Sequence, residues 1–252
     1  MGSILEADFI RRTLKATIIT VLLTLVTCYA LWIQSGCDPW LPFISDTDVN
    51  PKSGVPFTIG FSIAGLLLTL GAVQLGLLRD RFMLGNDTSP SLIWSNRIAI
   101  LPGAFAGVAL TWLAFTPWHQ QMELHIAQAM VIFYGGVIWA ALVTFVTWRL
   151  AAAEPAFRSL LYPRVVACFV AIAGLILMMV TIGQFVTTAS DFSAMDDYLM
   201  RVQTCTDLGS PLLARAAFFE WSMVLGMVVV LATFLPEVSI LTSPTQAADS
   251  EE

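Results

Sequence analysis

Residues 165–186 read VVACFVAIAGLILMMVTIGQFV, an apolar run without a single charged side chain. Its hydrophobicity is continuous and does not alternate with a period of two, so the run predicts a helix and not a half-exposed strand. At 1.5 Å per residue it is long enough to cross a hydrocarbon layer of about 30 Å. Working outward, five comparable runs lie at about 16–33, 56–78, 98–115, 124–150 and 211–235, each flanked by charge, Pro or a polar cluster. The expectation is an all-α, polytopic membrane bundle of six transmembrane helices over residues 1–241. A short acidic tail over 242–252, ending in Asp249, Ser250, Glu251 and Glu252, is expected to be disordered.

Composition agrees. With 57% hydrophobic and 12% charged residues, the chain departs from soluble domains, which carry about 45–50% apolar and about 25% charged residues. A water-facing surface cannot be built from so few charges, so hydrocarbon is the expected solvent for the outside of the bundle. The net charge of −6 comes from acids in the short loops and the tail and is read as solvation, not as a docking face. A cleaved signal peptide is set aside because the first run is long and no small-x-small site follows it. Glu6 occupies the place where a myristoylation motif wants Ser or Thr, so Gly2 is not read as a lipidation site.

Basic residues orient the bundle. Arg11, Arg12 and Lys15 precede the first run; Arg79, Arg81 and Arg97 fall between the second and third; Arg149, Arg158 and Arg164 fall between the fourth and fifth. The alternate connections hold only Lys52, Arg201 and, just inside the last run, Arg215. By the positive-inside rule both ends are expected on the cytoplasmic side. The sequon Asn86-Asp87-Thr88 then lies on the wrong side for glycosylation and is read as chance. Cys28 and Cys168 fall within spans, whereas Cys37 and Cys205 fall in outside connections, where they form either a disulfide or two free thiols.

Familiar soluble enzyme chemistry has no foothold. No zinc spacing, phosphate loop, dinucleotide fingerprint or serine-nucleophile motif is present, and His119 and His125 are the only histidines. Neither a metal, a cofactor nor a nucleic-acid partner is expected; membrane lipids are. The residues of interest are polar groups at the outer half of the membrane: His125, Gln184, Arg215 and Glu220. Ionisable groups at such depth are costly unless paired, so they are expected inside the bundle. Glu220 stands about 13 Å into its helix. Arg215, five residues away, is on the wrong face to pair with it, which leaves His125 on another helix as the expected partner. A structural hydrogen-bonded pair and a lipid-headgroup or proton-handling site are both open for these two residues.

The first outside connection, Cys37-Asp38-Pro39-Trp40-Leu41-Pro42-Phe43-Ile44-Ser45-Asp46-Thr47, is too rich in Pro and aromatics for a flexible linker. Pro39 and Pro42 stiffen it, Trp40 and Phe43 suit the headgroup level, and Ser45, Asp46 and Thr47 can close a turn through side-chain to backbone hydrogen bonds. It is either an interfacial anchor or a rim over an opening among the helices.

This stretch, Pro42-Phe43-Ile44-Ser45-Asp46-Thr47 followed by Pro51, Ser53, Gly54 and a helix opening with Phe57, resembles the signature of the damage-regulated autophagy modulator (DRAM) family. His125 with Gly135 and Gly136, Arg164-Val165-Val166, and Glu220-Trp221 resemble further family positions in the same order. Asp48 departs from the pattern, which has Gly after Ser-Asp-Thr. The wider superfamily includes proteins that remodel GPI-anchor lipids and fungal suppressors of phosphoinositide-kinase defects; Cys37 and Cys205 resemble a cysteine pair of the GPI-linked branch. The resemblance implies a multi-pass protein of an endomembrane or the plasma membrane, tied to autophagy or lipid homeostasis, with no established catalytic residues. The leading expectation is a non-enzymatic modulator. The alternatives are an intramembrane lipid-modifying enzyme, with His125 as acid or base and Glu220 as its partner, and a transporter or channel.

Overall fold

The computed structural model describes residues 4–188 and 211–243. All regular structure among them is helical: α1 (Ala7–Gln34), α2 (Asp46–Val49), α3 (Gly54–Gly85), α4 (Pro90–Leu113), α5 (Met122–Ala153), a 3-10 turn (Pro155–Phe157), α6 (Arg158–Thr188), α7 (Pro211–Ala232) and α8 (Phe234–Thr242). Six helical stretches are long and apolar enough to span a membrane, with α7 and α8 counted as one. Their outer faces are apolar: Leu23, Val26, Leu66, Phe105 and Phe169 are each more than 60% exposed. In water such a surface would aggregate; in hydrocarbon it is solvated.

Several helices outrun the apolar stretches that announce them. α1 begins nine residues before the first run, α3 continues seven residues past Leu78, and α6 opens at Arg158 instead of Val165. A hydropathy reading stops at the first charge, but a helix stops only when its backbone hydrogen bonds lose their partners. Arg79 and Arg164, which look like loop residues in the sequence, are helical and buried (1% and 0% exposed).

The helices follow one another around a ring: α1 packs on α3, α3 on α4, α4 on α5, α5 on α6, α6 on α7, and α7 with α8 returns to α1. Small residues set the closest crossings. A Cβ at Gly226 of α7 would lie 2.9 Å from the Ala167 carbonyl oxygen and the Ala171 nitrogen of α6, and one at Gly174 would lie 2.8 Å from the Met223 nitrogen. These are backbone atoms that cannot step aside. Gly107 meets Gly65 of α3 in the same way, and Gly103 lies under the Trp139 ring.

Candidate functional site

A ring of six helices leaves a space on its axis. Side chains from all six line a cavity of about 270 Å³, among them Thr17 of α1, Phe61 of α3, Ala106 of α4, Phe133 of α5, Met178 of α6 and Met227 of α7. The wall is almost wholly apolar; Thr17 spends its hydroxyl on the Thr13 carbonyl, and the remaining polar side chains gather at one end, where Phe43, Ile44 and Ser45 of the first long connection meet His125 and Glu220. From Glu220 to Leu231, the deepest lining residue of α7, is about 16 Å along the helix. Trp139 forms the floor and stacks on Phe234 with ring centroids 5.6 Å apart.

The connection forms a folded cap. Asp46 Oδ2 accepts from the Phe43 N–H (3.1 Å), Thr47 Oγ1 donates to the Ile44 carbonyl (2.6 Å), and Ser53 Oγ donates to the Thr47 carbonyl. The expected turn is therefore present, closed by the side chains of Asp46 and Thr47 but not by that of Ser45, and α2 is its continuation. Asp48, the departure from the family pattern, fits this short helix without positive φ. Its side chain is buried and its Oδ2 has no hydrogen-bond partner; loss of hydration lifts its carboxyl to about 7. Three ties bind the cap to α7: Trp221 Nε1 donates to the Pro42 carbonyl (2.8 Å), Trp40 Nε1 donates to the Ala214 carbonyl (3.2 Å), and the Ile44 N–H donates to Glu220 Oε2 (2.7 Å).

That last bond corrects the expected pairing. Glu220 takes its partner from the cap backbone and not from His125, because a peptide N–H satisfies a buried carboxylate without burying a second charge. His125, in the first turn of α5, is tied instead to the α4–α5 connection: its Nδ1 lies 2.6 Å from the Thr116 carbonyl oxygen. A carbonyl can only accept, so Nδ1 carries the proton, and in the neutral ring Nε2 is left as an acceptor. Gln128, one turn on, accepts from the Thr116 hydroxyl and stiffens the same corner.

The structure thus brings together Phe43, Ser45, His125 and Glu220 around the cavity mouth, with Pro42, Asp46, Thr47 and Trp221 holding the cap above it. Gln184 and Arg215 do not join them; both lie on exposed faces, of α6 and α7 respectively. Trp40 is half-exposed at the rim. Cys28 and Cys168 are free thiols. Cys37 is buried at the cap base, where the Asn50 amide lies 3.8 Å from its sulfur, and Cys205 lies outside the described residues, as does the tail from 244 onward.

Below the floor is a feature that sequence reasoning missed. Arg79 Nε lies 2.6 Å and Arg164 Nη1 2.5 Å from the two oxygens of Glu237, with all three side chains at or below 1% exposure. Arg79 Nη2 and Arg164 Nη1 also share the Thr147 hydroxyl, Arg164 Nε donates to Thr233 Oγ1 (2.7 Å), and both guanidinium groups face the Phe234 ring, at 4.8 and 4.1 Å. The signal was available: Glu237 follows the last apolar run by only two residues. It was hidden because Arg79 and Arg164 had been assigned to loops by their charge.

Residues 15–240 match the model of the Frag1/DRAM/Sfk1/Cwh43P N-terminal domain. The chain belongs to this family. Neither curated proteins nor solved structures give a match. Cap, cavity, floor and charge cluster all fall within the matched residues, so the site is part of the Frag1/DRAM domain itself. As a Frag1/DRAM protein with six apolar helices, the chain is an integral membrane protein.

Proposed function

We propose that this Frag1/DRAM protein is a non-enzymatic lipid-binding protein of membrane-lipid homeostasis. In this reading the central cavity takes the hydrocarbon chain of a membrane lipid, and the cap, His125 and Glu220 receive its head. The observation that carries the reading is the cavity's polarity gradient: an apolar shaft whose one deep hydroxyl, that of Thr17, is spent on its own helix, with its other polar side chains at the cap end, is the shape of an amphiphile. An engineered cavity of about 150 Å³ already holds benzene; a space of about 270 Å³ reached from the headgroup level suits a chain better than vacancy. Both ends of the protein would face the cytoplasm and the cap the lumen or exterior, in an endomembrane or the plasma membrane. Arg11, Arg12, Lys15, Arg81, Arg97, Arg149 and Arg158 support that orientation; Arg79 and Arg164, being buried, no longer count toward it. There Cys37, buried at the base of the cap, and Cys205 would pair and anchor the cap. A role in autophagy would follow from the lipid bound.

The test is occupancy. Gly136 lies on the wall, and a Cβ there would come 2.5 Å from Met227 Sδ, the movable end of a flexible side chain. Gly136→Leu should fill the shaft at little structural cost. Native mass spectrometry of protein purified in mild detergent should show a lipid retained by the parent and reduced at least about fivefold in the variant. Equal retention by both sinks the reading.

One observation favours a second reading, an intramembrane lipid-modifying enzyme: the Nδ1–H tautomer of His125 turns a basic nitrogen toward the cavity mouth. Turnover of a bound lipid that His125→Phe abolishes while binding persists would decide for it.

A further inference from the structure

The mouth of the cavity has a hydrogen-bonding sense. Most of its donors are spent: the N–H groups of Phe43 and Ile44 go to Asp46 and Glu220, the Trp221 indole goes to Pro42, and His125 Nδ1–H goes to Thr116, which leaves the Ser45 hydroxyl and N–H. The free acceptors are His125 Nε2 and Glu220 Oε1, neither with a hydrogen bond among the described residues. Ser45, also at the mouth, can serve in either sense. No Lys or Arg among the described residues lines the cavity. Gln128, whose Nε2 lacks a partner, is not part of the lining, and the Trp139 indole stands fourteen residues down α5 from His125, about 21 Å away.

We infer that the lipid received here presents N–H or O–H donors and carries no phosphate: a hydroxyl-headed or ammonium-headed amphiphile. The inference rests on the lipid-binding reading above and narrows it. A phosphate head brings negative charge to a mouth that, among the described residues, offers no Lys or Arg to balance it. Such a head would exchange full hydration for an uncompensated burial. A hydroxyl can donate to His125 Nε2, an ammonium to Glu220 Oε1, and either removes a buried acceptor's deficit instead of adding one. Two of the cap's backbone donors, the Phe43 and Ile44 N–H groups, are held by Asp46 and Glu220 and are not free to turn toward a phosphate.

Four probes sharing one 18-carbon monounsaturated chain separate the possibilities: monooleoylglycerol (hydroxyl head), oleylamine (ammonium head), oleyl phosphate (phosphate head) and methyl oleate (no donor). Each is titrated onto the full chain in mild detergent and counted by native mass spectrometry. Monooleoylglycerol or oleylamine should bind at least about fivefold more tightly than methyl oleate, the worth of one net hydrogen bond. Oleyl phosphate should bind no more tightly than methyl oleate. The tighter of the first two identifies the head. His125→Phe should then cost monooleoylglycerol about fivefold and leave methyl oleate unchanged, while Glu220→Gln, which keeps an acceptor for the Ile44 N–H, should weaken oleylamine more than monooleoylglycerol. If none of the four binds, the lipid-binding reading itself fails. If all bind alike, or the phosphate head binds best, the cavity reading stands and the donor-head inference is overturned. The wild-type series decides this even should either variant fail to fold.

Discussion

Replacing Glu237 by Gln removes the only anion, among the described residues, paired with two buried guanidinium groups. Each Arg–Glu contact, with charge centres about 4 Å apart and an effective dielectric constant of about 20, is worth about 4 kcal/mol of Coulomb attraction. The variant forfeits two such contacts and leaves the Arg79 and Arg164 guanidinium groups side by side against Phe234. Relaxation and water entry recover part of this, so the expected loss is that of a broken buried pair, about 3–5 kcal/mol. The substitution conserves shape, which confines the effect to charge. The assay is unfolding of the purified chain in mixed micelles, followed by far-ultraviolet circular dichroism as the denaturing detergent fraction rises. A companion variant with Arg79→Met, Arg164→Leu and Glu237→Leu removes all three charges at once and should recover most of the loss, since an apolar replacement of a whole buried ionic group is often neutral. Were Glu237→Gln to unfold within about 0.5 kcal/mol of the parent, the cluster would not be the desolvated ionic lock described above.

Two further outcomes are expected. Asp48 sits outside the spans with its carboxyl lifted to about 7 by burial; in the unfolded chain it titrates near 3.9. The folded state therefore holds the proton more tightly, and stability falls as pH rises from about 4 to about 7 and is level on either side. Asp48→Asn should remove that slope and make the protein more stable than the parent at pH 8, as melting curves at pH 5 and pH 8 will show; parallel curves for the two proteins would rule the burial argument out. At the α6–α7 crossing, Gly226→Val places carbon against the Ala167 carbonyl and the Ala171 nitrogen and should cost at least about 2 kcal/mol through forced separation of the helices. Gly183→Ala, where a Cβ meets nothing within 4 Å, should cost nothing measurable by the same unfolding assay.

The fold was legible because the six apolar runs are long and the connections short, and the cap was legible because Pro42, Ser45, Asp46 and Thr47 encode a turn through their own side chains. Partner choice was not legible. Glu220 was recognised as needing a partner, but its partner is a peptide N–H of Ile44, and a backbone group leaves no signature in a sequence. Arg79 and Arg164 were misassigned for a related reason: a basic residue at the end of an apolar run looks the same whether it faces headgroups or an acid two helices away. The close crossings at Gly65, Gly174 and Gly226 were likewise invisible, because a glycine's role depends on what packs against it.

The two acids of the last spanning stretch show why the site belongs at one end of the bundle and not the other. Glu220 and Glu237 are seventeen residues apart, about 25 Å along the helical path, and both are buried. Glu237 is held by two guanidinium groups, so its charge is over-compensated before any ligand arrives and nothing is left for it to do but bind α8 to α3 and α6. Glu220 has one hydrogen bond to the cap and no cation among the described residues. Its remaining oxygen lies at the mouth of a cavity that reaches down to Trp139, with only Phe234 between that floor and the arginines. A carboxylate left half-satisfied at the mouth of an apolar shaft is a cost the fold carries unless something that enters the shaft completes it. In the proposed reading the same energetic rule that makes Glu237 a lock makes Glu220 the receptor, and Ile44→Arg, by placing a cation beside Glu220, should abolish the lipid retention seen by native mass spectrometry.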